Sequence, residues 1–177
     1  MKRLLVVVDM QNDFITGSLG TKEATGIVER VINKIKEYEK SNDRIIFTMD
    51  THFNNYMETK EGEFLPVRHC IKDSDGWNIC ASINDACEIC NYKVYEKVTF
   101  GSSELAQDIM SGMYDDITEI ELVGLCTDIC VISNALLIKS FLPEIPIMVD
   151  SSCCAGVTSE SHKNALEAMK MCQINIV

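Results

Sequence analysis

Short apolar runs alternate with amphipathic segments along most of this chain. Residues 4–8 and 44–49 are predominantly apolar and rich in β-branched side chains, and four further short runs lie at 92–95, 117–123, 145–149 and 173–177. Runs of this length with little polar alternation predict strands that are buried on both faces of a parallel sheet. The sequence therefore predicts six strands.

Helices are predicted between these strands. Residues 24–40 carry one apolar stripe at helical spacing with charged side chains mainly opposite, which is typical of a helix that covers a sheet. Further helices are predicted from Ser102 or Ser103 to about Ser111, after Cys130, and over 159–171, where Ala165, Leu166, Met169 and Cys172 are expected to face inward. The alternation indicates a three-layer α/β/α, Rossmann-like fold with a parallel sheet.

The bulk properties fit one globular domain. A chain of 177 residues with 46% hydrophobic residues can bury a substantial core, so we predict a single domain over residues 1–177. Residues 51–91 show weak periodicity and scattered Gly, Asn and Asp, which predicts an irregular insertion. Loops of this length are usually functional or disordered, and the apolar side chains and four cysteines of this one favour order.

Charge and cysteine content narrow the choice of partners and compartment. The formal net charge of −11 argues against a nucleic-acid partner, which needs clustered Lys and Arg. No apolar run approaches the roughly 20 residues of a membrane span. Nine cysteines in a chain whose first residues lead directly into a strand, without a signal peptide, favour reduced thiols. We therefore expect a cytoplasmic protein without membrane contact.

Four polar or reactive residues lie at or just after the carboxyl ends of predicted strands: Asp9, Asp50, Lys97 and Cys130. Singly, the aspartates fit turns or caps, the lysine fits a solvated loop, and the cysteine fits a buried hydrophobe. Together they favour a site, because ligands of open α/β sheets bind at this edge. Cys130 also sits where a strand becomes a helix, and free N–H groups there favour a thiolate nucleophile.

The segments Asp9-Met10-Gln11-Asn12-Asp13-Phe14 and Gly124-x-x-Thr127-Asp128-x-Cys130, with Lys97 between them, resemble the nicotinamidase and isochorismatase-like cysteine hydrolases over essentially the whole chain. The resemblance implies a six-stranded parallel sheet and an Asp9, Lys97 and Cys130 triad that hydrolyses amides. Cys130 would attack the carbonyl, the backbone N–H groups of Cys126 and Cys130 would hold the oxyanion, and Asp9 would pass the proton to ammonia. A cis peptide between Leu125 and Cys126 is also implied.

Within this family, nicotinamidases carry a metal beside the triad, and two segments here resemble that site: Asp50-Thr51-His52 and Leu65-Pro66-Val67-Arg68-His69-Cys70. Asp50, His52, His69 and a further carboxylate suit one divalent transition metal, zinc first and manganese or iron as alternatives. Glu61 is the predicted fourth ligand. Glu58, six residues after His52, is the alternative.

Four apolar residues lie close in sequence to these groups and are predicted to wall a narrow pocket for a flat ring: Phe14, Leu19, Leu65 and Phe100. Nicotinamide suits such a pocket, with its ring nitrogen facing the metal and its carboxamide facing Cys130. The resemblance therefore implies a nicotinamidase acting in pyridine nucleotide salvage. It also implies a homo-oligomer, either a dimer or a tetramer.

Other functions stay open at this point. The enzyme could hydrolyse another small amide, such as an N-carbamoyl compound or ureido acid, whereas the vinyl-ether chemistry of isochorismatase needs neither the cysteine nor this metal set. Two alternatives belong to other functional classes. One is a binding module without catalytic activity, and the other is a thiol-redox protein that uses Cys126 and Cys130. Cys87-x-x-Cys90 with Cys70 or Cys80 suggests a structural zinc site, but a second Cys-x-x-Cys pair is missing. Cys153, Cys154 and Cys172 are expected in the core, and His162 on an exposed face.

Overall fold

Six parallel strands form one sheet in the computed structural model, which describes residues 2–177. The strands are β1 (Lys2–Val8), β2 (Arg44–Asp50), β3 (Lys93–Lys97), β4 (Ile117–Leu125), β5 (Ile147–Ala155) and β6 (Asn175–Ile176). Their order across the sheet is β3-β2-β1-β4-β5-β6, and each neighbouring pair is parallel. The predicted parallel sheet is confirmed. The fifth strand continues past Asp150 to Ala155, while the sixth is shorter than predicted.

Helices connect the strands, as predicted from the alternation. They are α1 (Asn12–Ile15), α2 (Lys22–Lys40), α3 (Lys60–Phe64), α4 (Ala81–Ala86), α5 (Ser103–Met110), α6 (Ile132–Phe141) and α7 (Ser159–Met171). The side chains of Thr21, Ser102 and Thr158 cap α2, α5 and α7 by accepting a backbone N–H from the first turn. Tyr56–Glu58 and Ile89–Asn91 are 3₁₀ turns, and Thr127–Val131 is a π-helical turn between β4 and α6.

Two apolar cores lie on opposite faces of the sheet. Alternate residues of β1 divide between them, so that Val6 packs with α5, α6 and α7 while Val7 packs with α1, α2 and α4. The apolar stripe predicted for α2 is the buried one, because Ile27, Val31 and Ile35 belong to the second core. The structure is therefore the expected three-layer α/β/α arrangement.

The segment between β2 and β3 is more ordered than its weak periodicity indicates. It contains α3, α4 and the two 3₁₀ turns. An isolated β-bridge of Gln11 with Ile79 joins it to the residues that follow β1, and a second bridge, His52 with Ile71, lies within the segment. The first bridge places the segment beside the carboxyl end of β1. Its description as an insertion within one domain stays a prediction.

Two expectations about individual side chains are wrong. Cys172 is exposed, because α7 ends at Met171 and the chain turns toward β6 there, whereas Cys153 and Cys154 are buried as predicted. His162 is half-buried, and its Nδ1 atom hydrogen-bonds to the Thr127 hydroxyl at 2.8 Å. Between residues 2 and 177, no helix has both the length and the apolar character that crossing a membrane requires.

Candidate active site

The polar residues predicted at the strand ends meet at one edge of the sheet. Asp9 follows β1 and Cys126 follows β4, and these two strands are the central neighbours at which the strand order reverses. Crevices at such a reversal are where α/β sheets bind ligands. Gly124 allows the close approach of β4, since a Cβ atom at this position would lie 2.1 Å from the Val8 carbonyl oxygen.

Three buried side chains form a triad at this edge. The Lys97 Nζ atom lies 2.6 Å from Asp9 Oδ2 and donates a hydrogen bond to Cys130 Sγ over 3.3 Å. Asp9, Lys97 and Cys130 are at most 5% exposed. The side chains that were predicted to act together are therefore adjacent, with the ammonium group between the carboxylate and the thiol.

The triad's environment favours a neutral thiol. Burial raises the pKa of Cys130 well above its ordinary value, the Asp9 charge raises it further, and the Lys97 ammonium opposes both. The bias towards a thiolate that the helix start is expected to give is outweighed by burial, which has the largest effect on this pKa. The thiol proton has an acceptor nearby. Asp9 Oδ2, although close to Lys97, receives no well-directed hydrogen bond from any group in residues 2–177, while Thr48 donates to Asp9 Oδ1 over 2.6 Å.

Cys130 is presented by the π-helical turn. The Cys126 carbonyl at the start of this turn accepts hydrogen bonds from the Ile129 N–H at 3.1 Å and the Val131 N–H at 3.0 Å. The Leu125–Cys126 peptide bond is cis, as the family resemblance implies. The use of the Cys126 and Cys130 N–H groups as an oxyanion hole stays a prediction.

A cluster of possible metal ligands lies beside the triad and shares Asp50 with it. The ligand atoms of Asp50, His52, Glu61 and His69 all lie within 4.8 Å of one another. Asp50 Oδ2 is 2.9 Å from His52 Nε2 and 3.5 Å from His69 Nε2, and its Oδ1 atom is 3.4 Å from Lys97 Nζ. The Asp50 carboxylate therefore faces the metal cluster with one oxygen and the triad with the other.

The donor geometry suits a cation. Ligand atoms about 2.1 Å from one metal ion lie about 3.0–3.4 Å apart, and Glu61 Oε1 is 3.6 Å from His52 Nε2 and 3.7 Å from His69 Nε2. The His52 Nε2 atom is buried and makes no hydrogen bond within residues 2–177, although Asp50 is near. A buried ring nitrogen without a hydrogen-bond partner is expected at a position where it would bind a metal ion.

The surroundings fix the His69 ring in ligating form. His69 Nδ1 lies 2.8 Å from the Val67 carbonyl, which only accepts hydrogen bonds, so the proton is on Nδ1 and Nε2 has a free lone pair. Burial alone would raise the pKa of Asp50, but the Lys97 ammonium helps to hold it below its ordinary range. Burial and the Asp50 charge raise the pKa of Glu61. Two such carboxylates at one point favour a bound cation.

The alternative ligands of the sequence analysis lie elsewhere. Glu58 is exposed, and it is not part of the four-residue cluster. Within the described residues 2–177, the cysteines considered for a structural zinc site do not join a cluster of three or more ligands; they are Cys70, Cys80, Cys87 and Cys90.

A cavity of about 720 Å³ opens onto both clusters. Cys130, Asp50, Glu61 and His69 line it together with the four residues predicted to wall the pocket, which are Phe14, Leu19, Leu65 and Phe100. The Phe14 ring is buried and lies 5.5 Å from the His69 ring, whereas Phe100 is 45% exposed. The cavity combines apolar walls with a few convergent polar groups, which is the usual composition of a small-molecule site.

Comparison with protein-family models gives a match to the Isochorismatase domain over residues 3–177. The chain belongs to the isochorismatase family. The resemblance seen in its motifs is thereby confirmed.

Relatives in this family cover the chain almost completely. A nicotinamidase of Schizosaccharomyces pombe is 24% identical over 98% of this chain and 91% of its own length. Among solved structures, the pyrazinamidase of Pyrococcus horikoshii in complex with zinc is 24% identical with a TM-score of 0.83, and the match covers 100% of this chain and 99% of the other. The N-carbamoylsarcosine amidase of Thermoplasma acidophilum is 25% identical with a TM-score of 0.77, covering 99% and 95%.

Sequence reasoning missed several residues that hold this family site together. Gln11 and Asp13 lie in the quoted motif, yet their contacts with the 51–91 segment were not anticipated. Asn134 is fully buried in α6, donates to the Cys130 and Phe100 carbonyls, and accepts from the Ser102 N–H. A polar residue within an apolar helical run is the signal that could have identified Asn134, and Thr48 within the apolar β2 run is a similar case.

Proposed function

We propose that this protein is a metal-dependent amidohydrolase that converts nicotinamide and water to nicotinate and ammonia through a thioester on Cys130. The observation that carries the proposal is the position of Lys97 within contact distance of Asp9, Cys130 and Asp50. The cavity beside it is lined by Cys130 and by three of the four metal-cluster residues. Nucleophile, base and cation site are thus within reach of one small substrate. The nicotinamidase and pyrazinamidase relatives support the same substrate class.

Asp50, His52, Glu61 and His69 would hold one divalent transition metal, for which zinc is the first candidate because two imidazoles and two carboxylates suit it. When bound, the ion supplies an electrophilic anchor for a ring nitrogen or another donor atom of the substrate. The zinc complex of the Pyrococcus horikoshii relative supports this assignment.

The first half of the reaction forms the thioester. Asp9 takes the Cys130 thiol proton as the sulfur attacks the amide carbon, and the Lys97 ammonium stabilises the developing thiolate. The N–H groups of Cys126 and Cys130 stabilise the oxyanion of the tetrahedral intermediate. When this intermediate collapses, the C–N bond breaks and Asp9 returns the proton to the departing amine, which leaves as ammonia.

The second half releases the acid. Asp9, again a carboxylate, takes a proton from a water molecule as the water attacks the thioester carbonyl. The C–S bond breaks, the carboxylic acid leaves, and the proton held by Asp9 returns to Cys130. The Thr48 hydroxyl keeps Asp9 oriented in both halves through its 2.6 Å hydrogen bond to Oδ1.

An amidase acting on an N-carbamoyl compound or ureido acid is the second candidate, and the likeness to the N-carbamoylsarcosine amidase favours it. The same triad would serve that reaction, because it also breaks an amide C–N bond. The two candidates differ in the donor atom offered to the metal. Phe14 beside His69 supports an aromatic ring at that position.

The cellular setting is proposed on separate grounds. All nine cysteines are unpaired, which supports a reducing compartment such as the cytoplasm. Pyridine nucleotide salvage follows from the proposed substrate. The homo-oligomer implied by the family resemblance stays a prediction.

Ammonia release from the purified zinc-loaded protein tests the proposal. Nicotinamide, benzamide and N-carbamoylsarcosine are compared, because benzamide matches nicotinamide in size and lacks only the ring nitrogen. Nicotinamide is expected to be hydrolysed faster than benzamide, and N-carbamoylsarcosine slowly or not at all. Preference for N-carbamoylsarcosine would favour the second candidate, and no ammonia from any amide would contradict the amidohydrolase function.

A further inference from the structure

Gln11 holds the backbone of Asp50 from both sides. It is fully buried, and its Oε1 atom accepts a hydrogen bond from the Asp50 N–H at 2.7 Å while its Nε2 atom donates to the Asp50 carbonyl at 2.9 Å. The second Nε2 hydrogen goes to the Trp77 carbonyl at 2.8 Å. An amide side chain can bind a donor and an acceptor at once, whereas a carboxylate only accepts and an apolar side chain does neither.

Asp13 makes a second attachment to the same cluster. Its Oδ2 atom accepts the Cys70 N–H at 2.8 Å, and the Cys70 carbonyl accepts the His52 N–H at 2.9 Å. Cys70 directly follows His69, so this single carboxylate fixes the backbone beside both histidines. The approach is close: a Cβ atom on Gly76 would lie 2.1 Å from Asp13 Oδ2.

We infer that Gln11 and Asp13 are positioning residues for the metal centre, an inference that rests on the metal site of the proposed function. Neither residue is a ligand, yet together they hold the backbone at Asp50, His52 and His69. Asp9 lies two residues before Gln11 in the same segment. The segment 9–13 therefore ties the base of the triad to three of the four ligands.

Glu61 is the exception among the ligands. It lies on the five-residue helix α3, which is capped by Thr59 and receives none of these hydrogen bonds. Three ligands are thus preset by the 9–13 segment, and the fourth comes from a separate short helix. Losing a hydrogen bond that orients a ligand commonly weakens metal binding by about 10–100-fold, so each attachment is expected to contribute on this scale.

The test measures zinc affinity by competition with a chromophoric chelator, together with the melting temperature of the zinc-free protein. Gln11→Met keeps the side-chain volume but removes the amide, and Asp13→Ala removes both carboxylate oxygens, including the acceptor of the Cys70 N–H. Asn12→Leu is the matched control, since Asn12 also donates its amide to this segment, at the Asp75 carbonyl, but from an exposed position. Both test variants are expected to raise the zinc Kd about 10–100-fold at a little-changed melting temperature, and the control to leave it unchanged.

Each other outcome is decisive. Wild-type zinc affinity in folded Gln11→Met and Asp13→Ala overturns the inference and leaves the proposed function standing. If Gln11→Met fails to fold, Asp13→Ala decides alone, and if neither folds, the two residues are structural and the inference is wrong. A wild-type protein that binds no zinc contradicts the metal site of the proposed function itself, and the inference with it.

Discussion

The buried ammonium group of Lys97 donates a hydrogen bond to the sulfur of Cys130 over 3.3 Å. The same ammonium lies 2.6 Å from Asp9 Oδ2. Two neighbours of opposite charge thus act on one buried thiol. The Asp9 carboxylate and burial raise the pKa of Cys130, and Lys97 opposes them.

Removing Lys97 and removing Asp9 are expected to shift the pKa of Cys130 in opposite directions. Lys97→Met takes away the cation that favours the thiolate, so the pKa rises further. Asp9→Asn takes away the anion that disfavours it, so the pKa falls. The pH dependence of iodoacetamide labelling at Cys130 measures both shifts against the wild type.

Turnover is expected to fall in both variants by about 10²–10⁴-fold, because the base is lost in one and the thiolate is destabilised in the other. A labelling curve that does not move in Lys97→Met would contradict the role given to the lysine. Shifts of the same sign in the two variants would contradict the electrostatic arrangement.

A buried ion cluster away from the site supports the fold. Lys34 of α2 lies 2.8 Å from Glu121 and 2.9 Å from Asp150, and Glu121 is only 3% exposed. Lys34→Met leaves that buried carboxylate without its cation, so the free energy of unfolding at pH 7 is expected to fall by about 3 kcal/mol. Urea denaturation measures the change, and Lys36→Met, exposed on the same helix, is the control.

The loss caused by Lys34→Met is expected to shrink in acid. Burial alone would raise the pKa of Asp150, but Lys34 and Ser152 hold it below its ordinary value. A folded-state pKa below the unfolded value of about 3.9 stabilises the protein above that pH, and the stabilisation disappears as the pH falls through the folded value. If Lys34→Met lowers the free energy of unfolding by the same amount at neutral and at acidic pH, this explanation is ruled out.

Removing the metal is expected to stop catalysis without unfolding the protein. The ligands come from the end of β2 and the 51–91 segment, and the two apolar cores do not include them. Dialysis against a chelator, followed by far-UV circular dichroism and an ammonia assay, separates the two effects. Loss of secondary structure on chelation would show that the metal is structural.

A matched pair of variants tests the assignment of Glu61 as a metal ligand. Glu61→Gln is expected to lower the metal content of the purified protein, and Glu58→Gln to leave it unchanged, because the Glu58 side chain is exposed and outside the cluster. Mass spectrometry of the metal in both variants gives the answer. Full occupancy in Glu61→Gln with loss in Glu58→Gln would reverse the assignment.

The fold was predictable because its signals are local. The buried strand β1 corresponds to a run of apolar residues in the sequence. Helix α7 corresponds to an amphipathic repeat that begins at a capping residue. The candidate site was predictable from strand ends, since parallel strands bring Asp9, Asp50 and Lys97 to one edge whatever the loops do.

The other features of the site depend on contacts between residues that are far apart in the sequence. Gln11 and Asp13 act on backbone groups about 40 and 60 residues away in the chain, and sequence spacing gives no sign of such pairs. His162 was expected to be exposed because its helix face is polar, but the turn that carries Cys130 packs against α7. The effect of burial on the pKa of Cys130 was not anticipated for the same reason, because burial depends on the assembled fold.

The central claim is a thioester on Cys130, and trapping with hydroxylamine tests it most directly. Wild type and Cys126→Ala, incubated with nicotinamide and hydroxylamine, are expected to form nicotinohydroxamate at the expense of nicotinate. Cys130→Ala, with an unchanged far-UV spectrum, is expected to form neither product. Wild-type production of nicotinate by Cys130→Ala, or turnover by the wild type that never yields hydroxamate, would contradict the thioester mechanism.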